Sequence, residues 1–271
     1  MTPNIFIKKD VLERYGIDID TASEQDLLKV EEIVTSDKTM DHKYENTWNF
    51  SLFPNLKKIV CSYNPLGSLD LSKNINLEYI NWSGVRGNFS SGLDLSHNKK
   101  LKKIIGGQDG LIELDLSSNI ELEEINLTLN SSFRWINLTN VTKLKRIALN
   151  GVNIPFVDLT GCNELEYVNI NYMNLYRKRS DVFGPGYPRP VIFVNENFNE
   201  NIIDKDTREY KYYTYKLVRV LPNSHELRVL DTLKTLKSTI IKIEPDIYGN
   251  GVGKFHYSIL NLLNDKTIFD V

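Results

Sequence analysis

The residue types that most often carry catalytic chemistry are sparse in this sequence and lack a catalytic spacing. The glycine-rich stretch GNGVGK at 249–254 lacks the spacing of a phosphate-binding loop, so we expect a turn there. Neither the two cysteines nor the histidines have metal-ligand spacing, and we expect no catalytic residue, no metal site and no cofactor. The histidines are His42, His97, His225 and His256.

Large aromatic and charged side chains are better placed for recognition than for catalysis. Trp135 and Phe156 stand 21 residues apart, each one residue before an apolar position. Exposed aromatic side chains often mark protein interfaces, and tryptophan frequently contributes much of the binding energy. If the two rings are exposed side by side, they form a recognition surface; alternatively, the C-terminal segment covers both. The predicted partner-binding residues are Trp135, Phe156, Asp115, Asn137, Asp158, Arg146 and Tyr167.

An internal repeat is the element that would bring these residues together. Leucines recur every 21 to 24 residues, each followed three positions later by isoleucine or valine: Leu56, Leu77, Leu101, Leu122, Leu144 and Leu165. A second apolar column runs between them: Leu69, Leu93, Leu114, Ile136 and Val157. Both columns widen by three residues at the same place, which identifies GVRGNF at 84–89 as one insertion. Because a single unit cannot bury its apolar side alone, the pattern predicts stacked coils with two straight segments each.

The repeat unit resembles that of bacterial leucine-rich-repeat proteins. The resemblance rests on the pattern LxxLxLxxN/CxL, on units of about 21 residues and on the wording LDLSxN, and it covers roughly 50–175. It implies an α/β repeat, a solenoid of short parallel strands. The asparagine or cysteine position of the pattern is occupied by Asn64, Asn74, Asn98, Asn119, Asn130 and Cys162, whereas Val85, Val141, Val152 and Met173 depart from it. An amide in this position can satisfy backbone groups that a buried turn leaves unpaired.

The two ends of the chain lack the repeat. Residues 1–50 are predicted to form a helical cap, with Ser23 as N-cap, Asp26 three residues on, and apolar residues as far as Ile33 and Val34. Residues 51–175 are predicted to form the solenoid. Residues 176–271 are predicted to be a small α+β segment, either a cap or a separate domain, with strands in VIFV, at 210–221 and in STIIKIE, and a helix in HELRVLDTLKTLK at 225–237.

Composition and charge limit the kinds of partner that this protein is expected to bind. The net charge is −2, from 33 basic and 35 acidic residues, so we expect no binding to nucleic acid or to an anionic membrane. No apolar run is long enough to span a bilayer and the first ten residues are unlike a signal peptide, which predicts a cytoplasmic protein. Cys61 and Cys162 lie about five coils apart, too far for a disulfide.

Three classes of function fit these observations. A non-catalytic protein-binding module fits best, because a repeat stack presents a broad rigid surface. A more specialised version is a cytosolic immunity or antitoxin-like protein, or a secreted effector, that binds one partner protein. An enzyme with its site in 176–271 is the third. The aspartates at 70, 94, 115 and 158 favour a partner with a basic surface, although they can equally serve local hydrogen bonds. The oligomeric state stays open.

Overall fold

Short parallel strands, one for each coil, form the main sheet of the protein. The computed structural model describes residues 12–18, 21–35, 49–63, 69–85, 89, 92–152, 154, 156–170, 191–195, 197–203, 216–220, 226–231 and 239–242. The main-sheet strands are β1 Glu32–Val34, β2 Lys58–Val60, β3 Tyr79–Asn81, β4 Lys103–Ile105, β6 Glu124–Asn126, β8 Arg146–Ala148 and β10 Tyr167–Asn169, hydrogen-bonded in that order. Their central residues, from Ile33 to Val168, are buried and lie in register. The predicted apolar column is therefore confirmed.

The LDLS segments form the opposite side of each coil. Strands β5 Glu113–Asp115 and β7 Trp135–Asn137 pair in parallel, with Leu114 opposite Ile136. Five further strands make a third sheet: β9 Phe156–Asp158, β11 Val191–Asn195, β12 Lys216–Val220, β13 Glu226–Asp231 and β14 Thr239–Lys242. Strands β9, β11 and β12 are parallel, and β12, β13 and β14 are antiparallel. One apolar core fills the space between the two sides of the coils.

An asparagine ladder joins three successive coils at the turn after the LDLS segments. The side-chain amide of Asn98 donates to the carbonyl oxygens of Leu71 and Asn74, at 3.0 and 2.9 Å. Asn119 repeats this arrangement on Leu95 and Asn98. All three asparagines, Asn74, Asn98 and Asn119, are buried. The prediction that a buried amide in this position bonds to the backbone is thus confirmed for these coils. Each carbonyl also accepts a backbone N–H, so the amide adds a second donor to a group that it does not alone satisfy.

The helix of the N-terminal segment is shorter than predicted. The capping box at Ser23 and Asp26 is present, but the helix Glu24–Leu27 is a single turn. Ile33 and Val34, predicted to continue the helix, lie instead in β1, where they pair with Ile59 and Val60. β-Branched residues fit a pleated surface better than a helix, and the edge of the first coil offers them a partner strand.

The C-terminal segment also differs from its prediction. The helix predicted at 225–237 is wrong for Glu226–Asp231, which forms β13 between β12 and β14. Hydrogen bonding to two neighbouring strands overrides the local leucine spacing. The stack also continues past 175, since β11 adds to β9 and Ile203 bridges Val168 in parallel. Backbone pairing between strands therefore crosses both predicted domain boundaries. The division into domains itself remains a prediction.

The insertion at 84–89 is anchored at both ends of its described part. Val85 and Phe89 are both buried in the core, whereas residues 86–88 lie outside the part of the chain that the structure describes. Gly92, three residues after Phe89, has a φ of +85°, a backbone conformation that glycine adopts without steric cost. The chain therefore leaves the insertion and enters the next LDLS segment through a glycine.

Candidate protein-binding surface

The outward side of the main sheet carries charges that alternate in sign from coil to coil. The residues one position before each strand are Glu31, Lys57, Glu78, Lys102, Glu123, Lys145 and Glu166. Each lysine Nζ contacts the glutamate of the preceding coil: Lys57 to Glu31 at 2.7 Å, Lys102 to Glu78 at 2.7 Å and Lys145 to Glu123 at 2.9 Å. Hydrogen bonding within these pairs lowers the pKa of Glu78 and Glu123 and raises the pKa of each lysine. We call this outward side the ladder face.

The next column of the ladder face is also paired. Lys58 Nζ lies 3.3 Å from a carboxylate oxygen of Glu32, and Lys103 Nζ lies 2.8 Å from one of Glu124. The guanidinium carbon of Arg146 lies 4.5 Å from the centre of the Tyr167 ring, in a cation–π contact. Arg146 and Tyr167 were predicted as site residues; they contact each other, on a different side of the coils from Trp135 and Asp115. Because positive and negative charges cancel, the ladder face has little net charge to attract a charged partner.

The opposite side of the coils, formed by the LDLS segments with β5, β7 and β9, carries a column of acidic residues. In each coil the side-chain oxygen of the aspartate or asparagine in this column accepts a hydrogen bond from the backbone N–H two residues later, as in an Asx-turn. The bonds are Ser72 to Asp70 at 3.0 Å, Ser96 to Asp94 at 2.8 Å, Ser117 to Asp115 at 2.9 Å, Thr139 to Asn137 at 3.0 Å and Thr160 to Asp158 at 2.9 Å. We call this side the acidic face. The structural alternative for the aspartates is thus realised in every one of these coils.

These hydrogen bonds also keep the carboxylates ionised. Bonds from the side chain and backbone of Ser96 lower the pKa of Asp94, and Ser72 does the same for Asp70. Burial raises the pKa of Asp115, but hydrogen bonds from Ser117 and Asn137 outweigh it, and the net shift is downward. Local structural bonding therefore does not remove the charge, and a carboxylate that closes a turn can still attract a cation.

The two predicted aromatic residues have different environments. Phe156 is 5% exposed and packs edge-on against Phe193 of β11, with ring centres 6.1 Å apart and planes at 77°. The prediction that it is exposed is wrong, because β11 pairs with β9 and places Phe193 over the ring. Trp135 is only half-buried. The predicted exposed pair is therefore reduced to one ring, and the alternative that the C-terminal segment covers the aromatics applies to Phe156.

A shallow pocket of about 400 Å³ lies beside Trp135 on the acidic face. Its lining consists of Gly92, Leu93, Asp94, Ser96, Glu113, Asp115, Ser117, Ser118 and Trp135. Gly92 stands in the column position that Glu113 and Trp135 occupy in the next two coils, and a Cβ added there would meet nothing within 4 Å. The missing side chain leaves a hollow next to Glu113. The volume lies within the range of about 300–1,000 Å³ that is usual for ligand pockets.

The charge of the pocket is uncompensated within the described part of the chain. Its carboxylates belong to Asp94, Glu113 and Asp115, and no lysine or arginine among the described residues forms an ion pair with them. The imidazole Nδ1 of His97 lies 4.0 Å from Asp94. Asn137 donates to Asp115 at 3.0 Å and so fixes that side chain toward β7. The pocket is therefore negative, with one aromatic wall.

The structure places the predicted site residues in three environments: the acidic face, the ladder face with Arg146 and Tyr167, and the buried contact of Phe156 with Phe193. Trp135, Asp115 and Asn137 lie together on β5 and β7, and Asp158 lies on β9, on the same face. Asp94 belongs to the predicted column of aspartates, whereas Gly92 and Glu113 were not among the predicted partner-binding residues. The sequence does contain a signal for the pocket, because a glycine interrupts the outward column directly after the insertion at 84–89. The charge alternation of the ladder face was also missed, although its residues follow the repeat spacing.

The cysteines are poorly suited to chemistry. Both thiols are free and buried, and burial raises the pKa of each to about 12. A thiol with so high a pKa stays protonated at neutral pH and is a weak nucleophile. Within the described ranges, no group of three or more histidine, cysteine or acidic side chains is arranged to hold a metal ion. In the same ranges, no helix has the length and apolar character that crossing a bilayer requires.

Comparison with known proteins gives structural likeness only. No protein-family model and no curated protein matches this chain. Among solved structures, internalin C2 of Listeria monocytogenes aligns at 14% identity and a TM-score of 0.46, over 80% of this chain and 93% of that one. An internalin, InlF, from the same organism aligns at 15% identity and 0.40, over 61% and 54%. The functional domain of InlJ from L. monocytogenes aligns at 15% and 0.28, over 56% and 42%. By the main-sheet strand that each coil contributes, its repeat register and its asparagine ladder, this chain is a leucine-rich-repeat solenoid.

Proposed function

We propose that this protein is a non-catalytic binding module that recognises a basic surface of a partner protein through its acidic face. The observation that carries the proposal is the difference in charge between the two sides of the coils. On the ladder face lysines and glutamates neutralise one another, whereas no described lysine or arginine pairs with the carboxylates of Asp94, Glu113 and Asp115, and only the His97 imidazole lies beside Asp94. A face with uncompensated charge attracts a partner of opposite charge and speeds its approach.

The geometry of the acidic face also suits a macromolecular partner. An aspartate occupies this column in every coil from Asp70 to Asp158 except that of Asn137, and adjacent parallel strands lie about 4.8 Å apart, so the charges form a line along the stack. Trp135 adds a half-buried ring beside this line, and tryptophan is enriched among residues that dominate binding energy. Backbone hydrogen bonds from the Asx-turns hold the carboxylates in place, which reduces the entropy that a partner must remove.

A comparison of two charge-matched variants tests the proposal. The acidic-face variant carries Asp94→Asn, Glu113→Gln and Asp115→Asn, and the control carries Glu78→Gln, Glu123→Gln and Glu124→Gln on the ladder face. Each is immobilised and exposed to an extract of the native host, and each retained protein is purified and its affinity measured at several salt concentrations. We expect a basic protein that binds the wild type and the control but binds the acidic-face variant at least about tenfold more weakly, because several charge contacts are lost.

The salt series tests whether charge on the acidic face contributes to the binding. Affinity for the wild type should fall as salt rises, and the acidic-face variant should show a flatter dependence. Equal loss of binding in both variants would contradict the proposal, as would a partner whose binding depends only on the ladder face. Far-UV circular dichroism of both variants checks that the solenoid is intact.

A further inference from the structure

We infer that the pocket beside Trp135 receives the guanidinium group of an arginine side chain of the partner. This inference rests on the proposed function and names the group that the pocket takes. The pocket combines a hollow at Gly92, one aromatic wall and three carboxylates, and this combination is more specific than acidity alone.

The first requirement is a flat surface for the cation. Trp135 lies directly opposite Glu113 in the β5–β7 register, and its ring is half-buried at the wall of the pocket. Within the described part of the chain its indole N–H donates no hydrogen bond, unlike that of Trp82, which donates to the buried carboxylate of Asp109. A planar guanidinium stacks on such a ring, and tryptophan is the aromatic residue that binds cations best.

The second requirement is a set of acceptors around the edge of the guanidinium. Glu113 and Asp115 are two residues apart on β5, so their side chains leave the strand on the same side, about 7 Å apart. Asp94 stands in the preceding coil, in the column of Asp115. The backbone N–H of Ser117 and the side-chain amide of Asn137 both donate to Oδ1 of Asp115. Acceptors therefore come from two coils and more than one direction.

This arrangement favours arginine over lysine. A guanidinium offers five N–H donors in a fixed plane, so it can stack on Trp135 and reach separate carboxylates at the same time. A lysine ammonium is a compact, strongly hydrated charge that cannot stack and must lose more water in a pocket. The volume of about 400 Å³ also leaves room for the planar group and its aliphatic stem over Leu93.

The experiment uses the full chain labelled with ¹⁵N and three short peptides. The peptides are acetyl-Gly-Ser-Xaa-Ser-Gly-amide with arginine, lysine or citrulline as Xaa; citrulline has nearly the shape of arginine but no charge. The protein has three tryptophans, and a Trp135→Phe variant assigns the indole N–H signal of Trp135 in the ¹H–¹⁵N spectrum. Titration is done at low salt, where charge contacts are screened least.

The expected result is a saturable shift of the Trp135 indole signal with the arginine peptide. We expect a dissociation constant at least about fivefold lower than for the lysine peptide, and no saturable shift with citrulline. Glu113→Gln with Asp115→Asn should weaken the arginine peptide at least about fivefold, whereas Glu123→Gln with Glu124→Gln, an equal loss of charge on the ladder face, should leave it unchanged.

The other outcomes overturn the inference and separate it from the proposed function. Equal affinity for lysine and arginine peptides would mean that the pocket reads charge and not guanidinium, and the proposed function would stand. Absence of any shift, while a basic partner still depends on Asp94, Glu113 and Asp115, would overturn the inference alone. Absence of both the shift and such a partner would overturn both. A shift at another tryptophan in place of Trp135 would refute the assigned location.

Discussion

Replacing Asn98 by alanine tests whether the asparagine ladder stabilises the stack. Asn98 is buried, and its amide bonds to Leu71 O and Asn74 O would be lost. Each carbonyl keeps one backbone donor, from Asn74 N and Leu77 N, so neither is left entirely without a partner. Two hydrogen bonds at about 0.5–1.5 kcal/mol each give an expected loss of about 1–3 kcal/mol in the free energy of unfolding.

A second variant at the same position separates the hydrogen bonds from simple packing. Asn98→Asp keeps the shape of the side chain but replaces the amide donor by an oxygen that faces two carbonyl oxygens. We expect it to destabilise the protein more than Asn98→Ala, because it buries an acceptor, and at neutral pH a charge, against other acceptors. The control is Asn76→Ala, which removes an asparagine near the turn of the preceding coil that, among the described residues, accepts a bond only from the exposed Lys100.

Urea unfolding followed by circular dichroism and by tryptophan fluorescence measures these differences. Coincident transitions and an unchanged slope with urea are required, since a repeat stack can unfold in more than one step. The expected order of stability is Asn76→Ala, then Asn98→Ala, then Asn98→Asp. A loss under about 0.5 kcal/mol for Asn98→Ala, or a loss equal to that of Asn76→Ala, would refute the stabilising role of the asparagine ladder.

Two further predictions concern the ladder face and the C-terminal strands. Glu123→Gln should lower the melting temperature at low salt, because Glu123 holds the Lys145 ammonium at 2.9 Å; the decrease should vanish near about 1 M salt, and Glu113→Gln should show no such decrease. An identical response at both sites would argue against a stabilising charge ladder. Phe193→Ala should cost about 3–5 kcal/mol as a buried aromatic deletion and should expose Phe156, with the exposed Ile75→Ala as control; a loss below about 1 kcal/mol would mean that β11 does not cover β9 tightly.

The acidic and aromatic residues show how far sequence reasoning could go toward the candidate site. The column of Asp94, Asp115 and Asn137 follows from the repeat, because each coil places the same position on the same side. The burial of Phe156 does not follow, because Phe193 lies 37 positions later in a segment without the repeat. The pocket depends on the absence of a side chain at Gly92, which only matters once Glu113 is known to lie in the neighbouring coil.

The sequence by itself determined the solenoid: its period, the inward columns, the asparagine ladder and the capping box at Ser23. These features follow from residues whose partners lie one period away, so the same contact recurs in successive coils. Only the tertiary structure decided what happens where the repeat ends. Ile33 and the segment Glu226–Asp231 became strands because a neighbouring strand was available to each, and β11 extended the stack over Phe156. In those segments the deciding hydrogen bonds and contacts come from residues distant in sequence, which local patterns do not encode.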